Sequence, residues 1–412
     1  MRYSHNLIKS NKEAREFDTV NATLLQKGAF IDQTMAGVFA FLPLGLRVLQ
    51  KIEQIIREEM DTIGAEIFLP ALVPTKLWEQ TGRFETVDVL FKATPANTGS
   101  AKRNDATYVL NSTHEDTVAP IAGKYMVSYR DLPFAVYQIQ TKFRNEERPK
   151  SGLLRGREFR MKDLYSFHAS DEDRESYYDK AKEVYVRIFE RLGLGVDTVI
   201  ALASGGDFTD DYSHEFQTKL DTGEDTIYHD EKDDVFYNKE VASPGLQKAT
   251  EGIQVSEVGN IFPLGTKFTK AAGYTYTNES GKQQPVYMAS YGIGSSRIMG
   301  VLVEKFHDDR GIIWPASVAP FIVHLVSISG GDDAVTAKAE TVYEKLLAAG
   351  VEVLYDDRAD VSPGEKLGDA DLVGCPWRAI VSGKTGDSIE IKERTSDAME
   401  LVTIDDFITQ LS

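Results

Sequence analysis

Apolar positions in residues 45–63 recur at helical spacing. Leu49, Ile52, Ile56, Met60 and Ile63 fall on one face, and Gly64 is a stop signal. EIFLPAL then predicts a strand reaching Pro70. VYQIQTKFRNE (136–146) and GREFRMKDLYSFH (156–168) predict two antiparallel strands flanking a long loop with a turn at 148–154. Residues 170–192 predict an amphipathic helix, with Tyr178, Ala181, Tyr185, Ile188 and Leu192 on one face and Gly193 closing it. PVYMASYGIG (285–294) predicts a strand entering a glycine turn, and SSRIMGVLVEKF a helix after it. Beyond the proline-bracketed WPASVAP (314–320) the pattern changes. FIVHLVSI, VEVLYDD, WRAIVSG and DSIEIKE predict strands. AVTAKAETVYEKLLAAG, SPGEKLGDADLVG and IDDFITQL predict helices, the second opening with Ser362, Pro363 and Glu365. This is a small α/β domain with a largely parallel sheet. Residues 222–252 are acidic, turn-rich and poorly periodic, and predict a surface insertion. The pattern divides the chain into 1–314, a linker at 315–320, and 321–412.

Composition narrows the class. With 412 residues, 42% hydrophobic and 27% charged, the chain has the make-up of a soluble globular protein of two or three domains. It has no apolar run long enough for a membrane span, and its N-terminus lacks the apolar stretch of a secretory signal. A single cysteine, Cys375, excludes an intrachain disulfide and fits a reducing cytosol. The cysteine and seven histidines show no metal-ligand spacing. A net charge of −18 argues against indiscriminate nucleic-acid binding, though not against a local basic site.

Such a site is visible. TKFRNEERPKSGLLRGREFRMKD (141–163) gathers eight Lys or Arg against four Asp or Glu. Arg144 and Glu146 alternate on one strand face. Arg155 and Arg157 lie across the loop, and Phe159 sits on the returning strand. Guanidinium forks suit phosphate oxygens, an aromatic face can hold a purine, and a carboxylate can accept the adenine amino group. These residue types describe a nucleoside triphosphate site, although a solvated, charge-laced hairpin would read similarly. GIGSSR (292–297) is no dinucleotide fingerprint, because Arg297 stands where glycine is needed. An arginine at a helix start adds charge to backbone N–H groups already suited to anions.

Taken together, these stretches resemble the class II aminoacyl-tRNA synthetases, and within them the bacterial-type prolyl-tRNA synthetases. GAEIFLP resembles the first class motif, a dimer-interface helix and strand ending in proline. FRNEERPKSGLLRGREF resembles the second motif and GIGSSR the third. FLPLGLRVL, LPFAVYQIQTKFR, REFRMKDLYSFH, YSHEFQ and DDRGIIWPASVAPF extend the likeness over nearly the whole chain. The resemblance implies an α+β catalytic domain built on an antiparallel sheet, plus a C-terminal α/β anticodon-binding domain. It implies a cytoplasmic, homodimeric ligase that uses ATP with Mg2+, L-proline and tRNA(Pro). A threonyl or glycyl relative, or a paralogue without activation chemistry, are the rival readings; the second would lose the motif arginines, and Arg144, Arg155 and Arg297 are all present.

The resemblance also assigns residues. Arg144 would hold the α-phosphate and the substrate carboxylate. Glu146 would meet the adenine amino group, Phe159 would stack on its ring, and Arg155 would reach the outer phosphates. Arg297 would bracket the nucleotide, and Gln217 would join that site. Thr113 and Glu115, in STHED, match a Thr-x-Glu signature that holds the proline imino group; without the family, the segment predicts a helix N-cap. His214 would border the proline ring, and Ser290 and Gly292 would floor the pocket. Trp78 and Arg83 are candidates for its rim, with a packed-core Trp the simpler reading. Arg358 and Lys366 are candidates for anticodon contact, or ordinary surface charge. Residues 218–285 are too few for the editing domain that many bacterial members carry between the second and third motifs, so alanine mischarged onto tRNA would not be cleared by this chain.

Overall fold

The computed structural model describes residues 1–5, 9–11, 17–149 and 151–411. Lys150, in the turn of the basic stretch, lies outside them. The chain divides into two compact units. One comprises Met35–Val38 and Ile52–Val301; the other comprises Met1–Thr34, Phe39–Lys51 and Leu302–Ser412.

The larger unit is built on a nine-stranded sheet. The hairpin forms as the alternation predicts: Phe134–Phe143 pairs antiparallel with Glu158–His168. Tyr287–Ile293 lies on the far side of Glu158–His168, and Ile253–Gly265 beyond that, both antiparallel. The helix Asp171–Arg191 is capped by Ser170, whose side chain accepts from the Asp173 N–H, and it buries Tyr178, Ala181, Tyr185 and Ile188. The expected strand in EIFLPAL shrinks to Ala65–Glu66, an edge strand parallel to Phe134–Phe143. Phe68 beyond it is 77% exposed.

Residues 222–252 are not a surface insertion. Asp225–Asp230 and Val235–Asn238 are strands of the main sheet, where Asp225–Asp230 pairs with Ile253–Gly265 and Val235–Asn238 with Thr198–Ala203. Ser213–Lys219 also pairs with both Thr198–Ala203 and Ile253–Gly265, so the strands close into a ring. The ring encloses a small core of Ala201, Ile227 and Val255. The strands are short and lean on only a few apolar residues, so weak periodicity concealed them.

The smaller unit carries a five-stranded sheet in the order Val353–Asp356, Val323–Ile328, Trp377–Ser382, Ile389–Glu393, Glu400–Val402. The first three are parallel and the last two antiparallel. Leu325, Ala339, Leu346, Val381 and Phe407 centre its core, shared with the helices Asp333–Ala348 and Ile404–Leu411. The unit also recruits the start of the chain. Arg2 forms a parallel bridge with Tyr355 and a two-pronged contact with Glu340 at 2.6 Å. WPASVAP is not a free linker: Trp314, Val318 and Ala319 are buried, and the Trp314 indole N–H donates to the Val373 carbonyl at 3.0 Å. The Lys51 ammonium donates to the Ala319 carbonyl at 2.7 Å. The division expected near residue 314 does not anticipate that residues 1–34 and 39–51 group with residues 302–412. No helix among the described residues is long and apolar enough to cross a membrane.

Candidate active site

Both hairpin strands, the strand Tyr287–Ile293 and the segment before the helix Glu115–Tyr125 converge on a cavity of about 260 Å³. Thr113, Glu115, Arg144, Phe159, Ser290, Gly292 and Arg297 all line it. Alternation explains the floor: Ser290 and Gly292 share one strand face. A Cβ at Gly292 would meet only ordinary contacts, at 3.7 Å from the Asn260 carbonyl and Met161 Sδ. Glycine there leaves room for a ligand.

The Thr113 hydroxyl donates to Glu115 Oε2 at 2.6 Å. Thr113 is not the N-cap of the helix Glu115–Tyr125; His114 occupies that position and makes no side-chain cap bond. Burial pushes the Glu115 carboxyl above its usual range, against the pull of Arg83 and Thr113. Trp78 is fully buried, its indole N–H donating to Asn111 Oδ1 at 3.0 Å, so it is core and not rim.

Two arginines line the same cavity. The Arg144 guanidinium lies 5.2 Å from the Phe159 ring centroid. Among the described residues no carboxylate pairs with it. Burial, then repulsion from Arg297, holds its pKa below the usual arginine range. Arg297 sits in the first turn of the helix Ser295–Lys305, and its Nη1 donates to the Glu257 carbonyl at 2.6 Å, with the Glu257 carboxylate at 3.4 Å. A desolvated guanidinium without a carboxylate, facing a second cation, is a site for an anion.

A smaller recess beside the cavity joins Arg144, Glu146, Arg155, Phe159 and Arg297. Here Arg155 is tied to Glu146, with Nε at 2.8 Å and Nη2 at 2.7 Å from Oε2. Arg157 donates to the Glu146 carbonyl at 3.0 Å. Two candidates, Gln217 for the nucleotide and His214 for the proline ring, are not among the residues lining the cavity. Gln217 is fully buried and does not line the cavity; its amide donates to Glu215 Oε2 at 2.8 Å. His214 lies on the opposite face of the same strand, since alternation turns Glu215 and Gln217 one way and His214 and Phe216 the other. Its Nδ1 meets the Tyr178 hydroxyl at 3.0 Å, on the helix Asp171–Arg191.

The sequence reading missed several cavity residues. Glu257, Asn260 and Asp163 line it. Asn260 donates to Glu215 Oε1 at 3.2 Å, and burial followed by repulsion from Glu257 pushes Glu215 up to about 8. Asp163 anchors a network under the cavity. It pairs with the Lys142 ammonium at 2.6 Å and accepts from the Tyr165 hydroxyl at 2.8 Å and Gln138 at 2.9 Å. Lys142 Nζ also meets His114 Nδ1 at 2.6 Å, while His114 Nε2 faces the Pro70 carbonyl at 3.1 Å. That carbonyl accepts only, so Nε2 carries the proton and Nδ1 accepts from the lysine. Burial and Lys142 hold His114 down to about 4, in keeping with a neutral ring. Reciprocal Lys and Asp on buried faces of paired strands were the available signal.

Arg358 and Lys366 are not free for RNA. The Arg358 side chain is 8% exposed and bonds Asp356 at 2.6 Å and Asp369 at 2.8 Å, with Tyr3 stacked 4.0 Å away. Lys366 is buried and donates to the Ser327 carbonyl at 2.8 Å. The buried carboxylates Asp356 and Asp369 demand these cations, which makes both residues part of the unit's interior.

A family model for the tRNA synthetase class II core domain (G, H, P, S and T) matches residues 91–306, and one for an anticodon binding domain matches 322–412. A proline--tRNA ligase of Beijerinckia indica subsp. indica is 38% identical over 440 residues, covering 98% of this chain and 97% of its own length. Another, of Caulobacter sp. (strain K31), is 38% identical over 452 residues and covers 100% and 98%. Among solved structures, Giardia lamblia prolyl-tRNA synthetase in complex with prolyl-adenylate superposes with a TM-score of 0.78 at 19% identity, covering 95% of this chain and 78% of that one. With both domains matched and relatives aligned end to end, the chain belongs to the proline--tRNA ligases, class II aminoacyl-tRNA synthetases with a C-terminal anticodon-binding domain.

Proposed function

We propose that the cavity activates L-proline with ATP and passes the prolyl group to the 3′ end of tRNA(Pro). The observation that carries this reading is that one cavity brings together hydrogen-bond acceptors at Thr113 and Glu115 and guanidinium groups at Arg144 and Arg297. Proline's secondary ammonium has two N–H donors. Because the Thr113 hydroxyl spends its proton on Glu115 Oε2, its lone pairs are left to accept one of them. Glu115 Oε1 would accept the other.

Activation needs no protein nucleophile or general base, since the proline carboxylate is already ionised. One carboxylate oxygen attacks the α-phosphorus, the bond to the bridging oxygen breaks, and pyrophosphate leaves. Arg144 and Arg297 hold the α-phosphate and stabilise charge gathering on it, and Arg144 also holds the attacking carboxylate. Phe159 offers its ring to adenine. For Glu146 and Arg155 to meet adenine and the outer phosphates, their present pairing must part, so the nucleotide competes with an existing ion pair. The terminal ribose hydroxyl of tRNA then attacks the prolyl carbonyl and AMP leaves. Among the described residues no cluster of three or more His, Cys, Asp or Glu side chains is set to hold a metal. Mg2+ would enter with the nucleotide and relieve its charge, and the Glu257 carboxylate on the cavity wall is a suitable hard oxygen ligand.

The C-terminal unit would read splayed anticodon bases, using residues other than Arg358 and Lys366. A homodimer formed along the edge strand Ala65–Glu66 would cover Phe68; sedimentation as a monomer at micromolar concentration would remove that part. Such chemistry belongs with translation in the cytoplasm. Strands of the main sheet occupy part of 218–285, which supports the reading that no editing domain is inserted there, and preformed Ala-tRNA should survive incubation with the enzyme. The test of the activation reading is pyrophosphate release dependent on both L-proline and ATP, and abolished in Glu115→Gln. Release by Glu115→Gln at the wild-type proline requirement would refute it.

A further inference from the structure

Glu115 is 2% exposed and Asp116 beside it 3% exposed. Two adjacent buried carboxylates repel each other and lose hydration, and burial pushes both above their usual range, so a neighbouring cation is needed to favour the charged form. Among the described residues, the one cation within ion-pair distance of either is Arg83. Its Nη1 lies 2.6 Å from Asp116 Oδ2 and 3.5 Å from Glu115 Oε2. Arg83 is itself 3% exposed and is held by rings: Phe208 at 4.7 Å, Trp78 at 4.9 Å and Phe268 at 5.1 Å from the guanidinium carbon. The Thr81 hydroxyl completes the shell by donating to Asp116 Oδ1 at 2.5 Å.

We propose that Arg83 is a positioning residue for substrate recognition, holding Glu115 ionised and aimed so that its remaining oxygen can accept the substrate's ammonium. Three features of the geometry support this. Asp116 takes the short bond, which fixes the guanidinium. The same Nη1 then reaches Glu115 Oε2, the oxygen already engaged by Thr113, which leaves Oε1 for the ligand. The three rings flank a guanidinium that is only 3% exposed, which limits its contact with bulk water. Arg83 sits on its own short helix, Arg83–Thr86, outside all three segments that resemble class motifs.

Other charged or titratable groups face Glu115. Lys142 and Arg144 approach from the hairpin strand and act on it through space, as does the Tyr165 hydroxyl from the facing strand. Lys142 is already committed to Asp163 and His114, and Arg144 is committed to the anion site. Asp116, on the helix of Glu115, opposes its ionisation. Removing Arg83 therefore raises the Glu115 pKa, while removing the Asp116 charge lowers it. A protonated Glu115 accepts an ammonium poorly, so the proline requirement should follow that pKa.

The inference rests on the proline-activation reading. The experiment measures KM for L-proline and for ATP by pyrophosphate exchange, across pH, for the wild type, Arg83→Met, Arg83→Lys and Asp116→Asn. Melting curves check that each variant folds. In Arg83→Met, KM for proline should rise roughly tenfold to hundredfold at neutral pH, fall again as pH is raised, and leave KM for ATP unchanged. Arg83→Lys should lie between. Asp116→Asn should keep proline binding to lower pH than the wild type. If Arg83→Met does not fold, the opposite displacements of the other two variants carry the test. Equal rises in both KM values, or profiles that do not move in opposite directions, would overturn the role of Arg83. A wild type without proline-dependent exchange would instead fail the activation reading itself.

Discussion

Replacing Arg144 by Gln should separate activity from stability. The guanidinium has no carboxylate partner among the described residues and stands in a cavity beside Arg297. Burial and that repulsion disfavour its charge in the folded state, so the wild-type side chain costs stability at neutral pH. Gln keeps two of the three methylenes, and the lost one is worth about 0.8 kcal/mol. The stack on Phe159 forgoes at most about 2 kcal/mol. Relief of a half-buried, unpaired charge returns an amount of similar size, about 1–3 kcal/mol. The two sides nearly cancel, and the variant should melt within about 2 kcal/mol of the wild type. Activity should not survive, because a positioned donor at a charge-developing phosphorus contributes on the order of 10²–10³ in rate. Exchange at saturating proline and ATP, beside a thermal melt, reads both quantities. A folded Arg144→Gln enzyme within about tenfold of wild-type exchange would refute the reasoning, as would a variant too unstable to fold.

His214→Ala should leave KM for proline unchanged in exchange assays, because its ring faces Tyr178 on the helix side; a selective rise would return it to the pocket. Arg358→Ala removes the cation that bonds both buried carboxylates Asp356 and Asp369, leaving Lys366 3.8 Å from Asp356, and should destabilise the smaller unit by about 3 kcal/mol in denaturant melts; unchanged stability with altered anticodon preference would restore the RNA role. Asp163→Leu should cost a comparable amount by isolating Lys142. Burial pushes Asp163 up, but the Lys142 ammonium beside it outweighs that and the net direction is down. A carboxylate lowered in the folded state stabilises above its unfolded pKa, about 4, and that contribution is lost as pH falls through the folded value. Acid unfolding of the wild type should therefore steepen below about pH 4, and a stable Asp163→Leu enzyme with the wild-type acid profile would contradict the network.

What was legible in the sequence was local. The hairpin, the helix Asp171–Arg191 and the glycine turn before Arg297 each announce themselves within a dozen residues, and the side chains they carry arrive in one cavity. Choices that depended on facing were less secure. His214 and Gln217 are three apart on a strand and so cannot share a face, a conflict visible in advance but outweighed by likeness to the family. Arg358 looked like surface charge, or an RNA contact, because nothing nearby reveals that Asp356 and Asp369 converge on it across a helix and a strand. The recruitment of residues 1–34 by the C-terminal unit depends on Arg2 meeting Glu340 and Tyr355, contacts more than 330 residues apart that no periodicity encodes. The strands at 225–230 and 235–238 were missed for the opposite reason: their pattern is local but short, and Ile227 and Phe236 are the apolar residues they give to the small core of the ring.

The most direct test of the account is ATP–pyrophosphate exchange by the purified protein, run with each of the standard amino acids in turn. The account predicts exchange that requires ATP and is supported best by L-proline, with threonine and glycine near background. Exchange led by another amino acid, or none above background with any of them while the protein is folded, would contradict it.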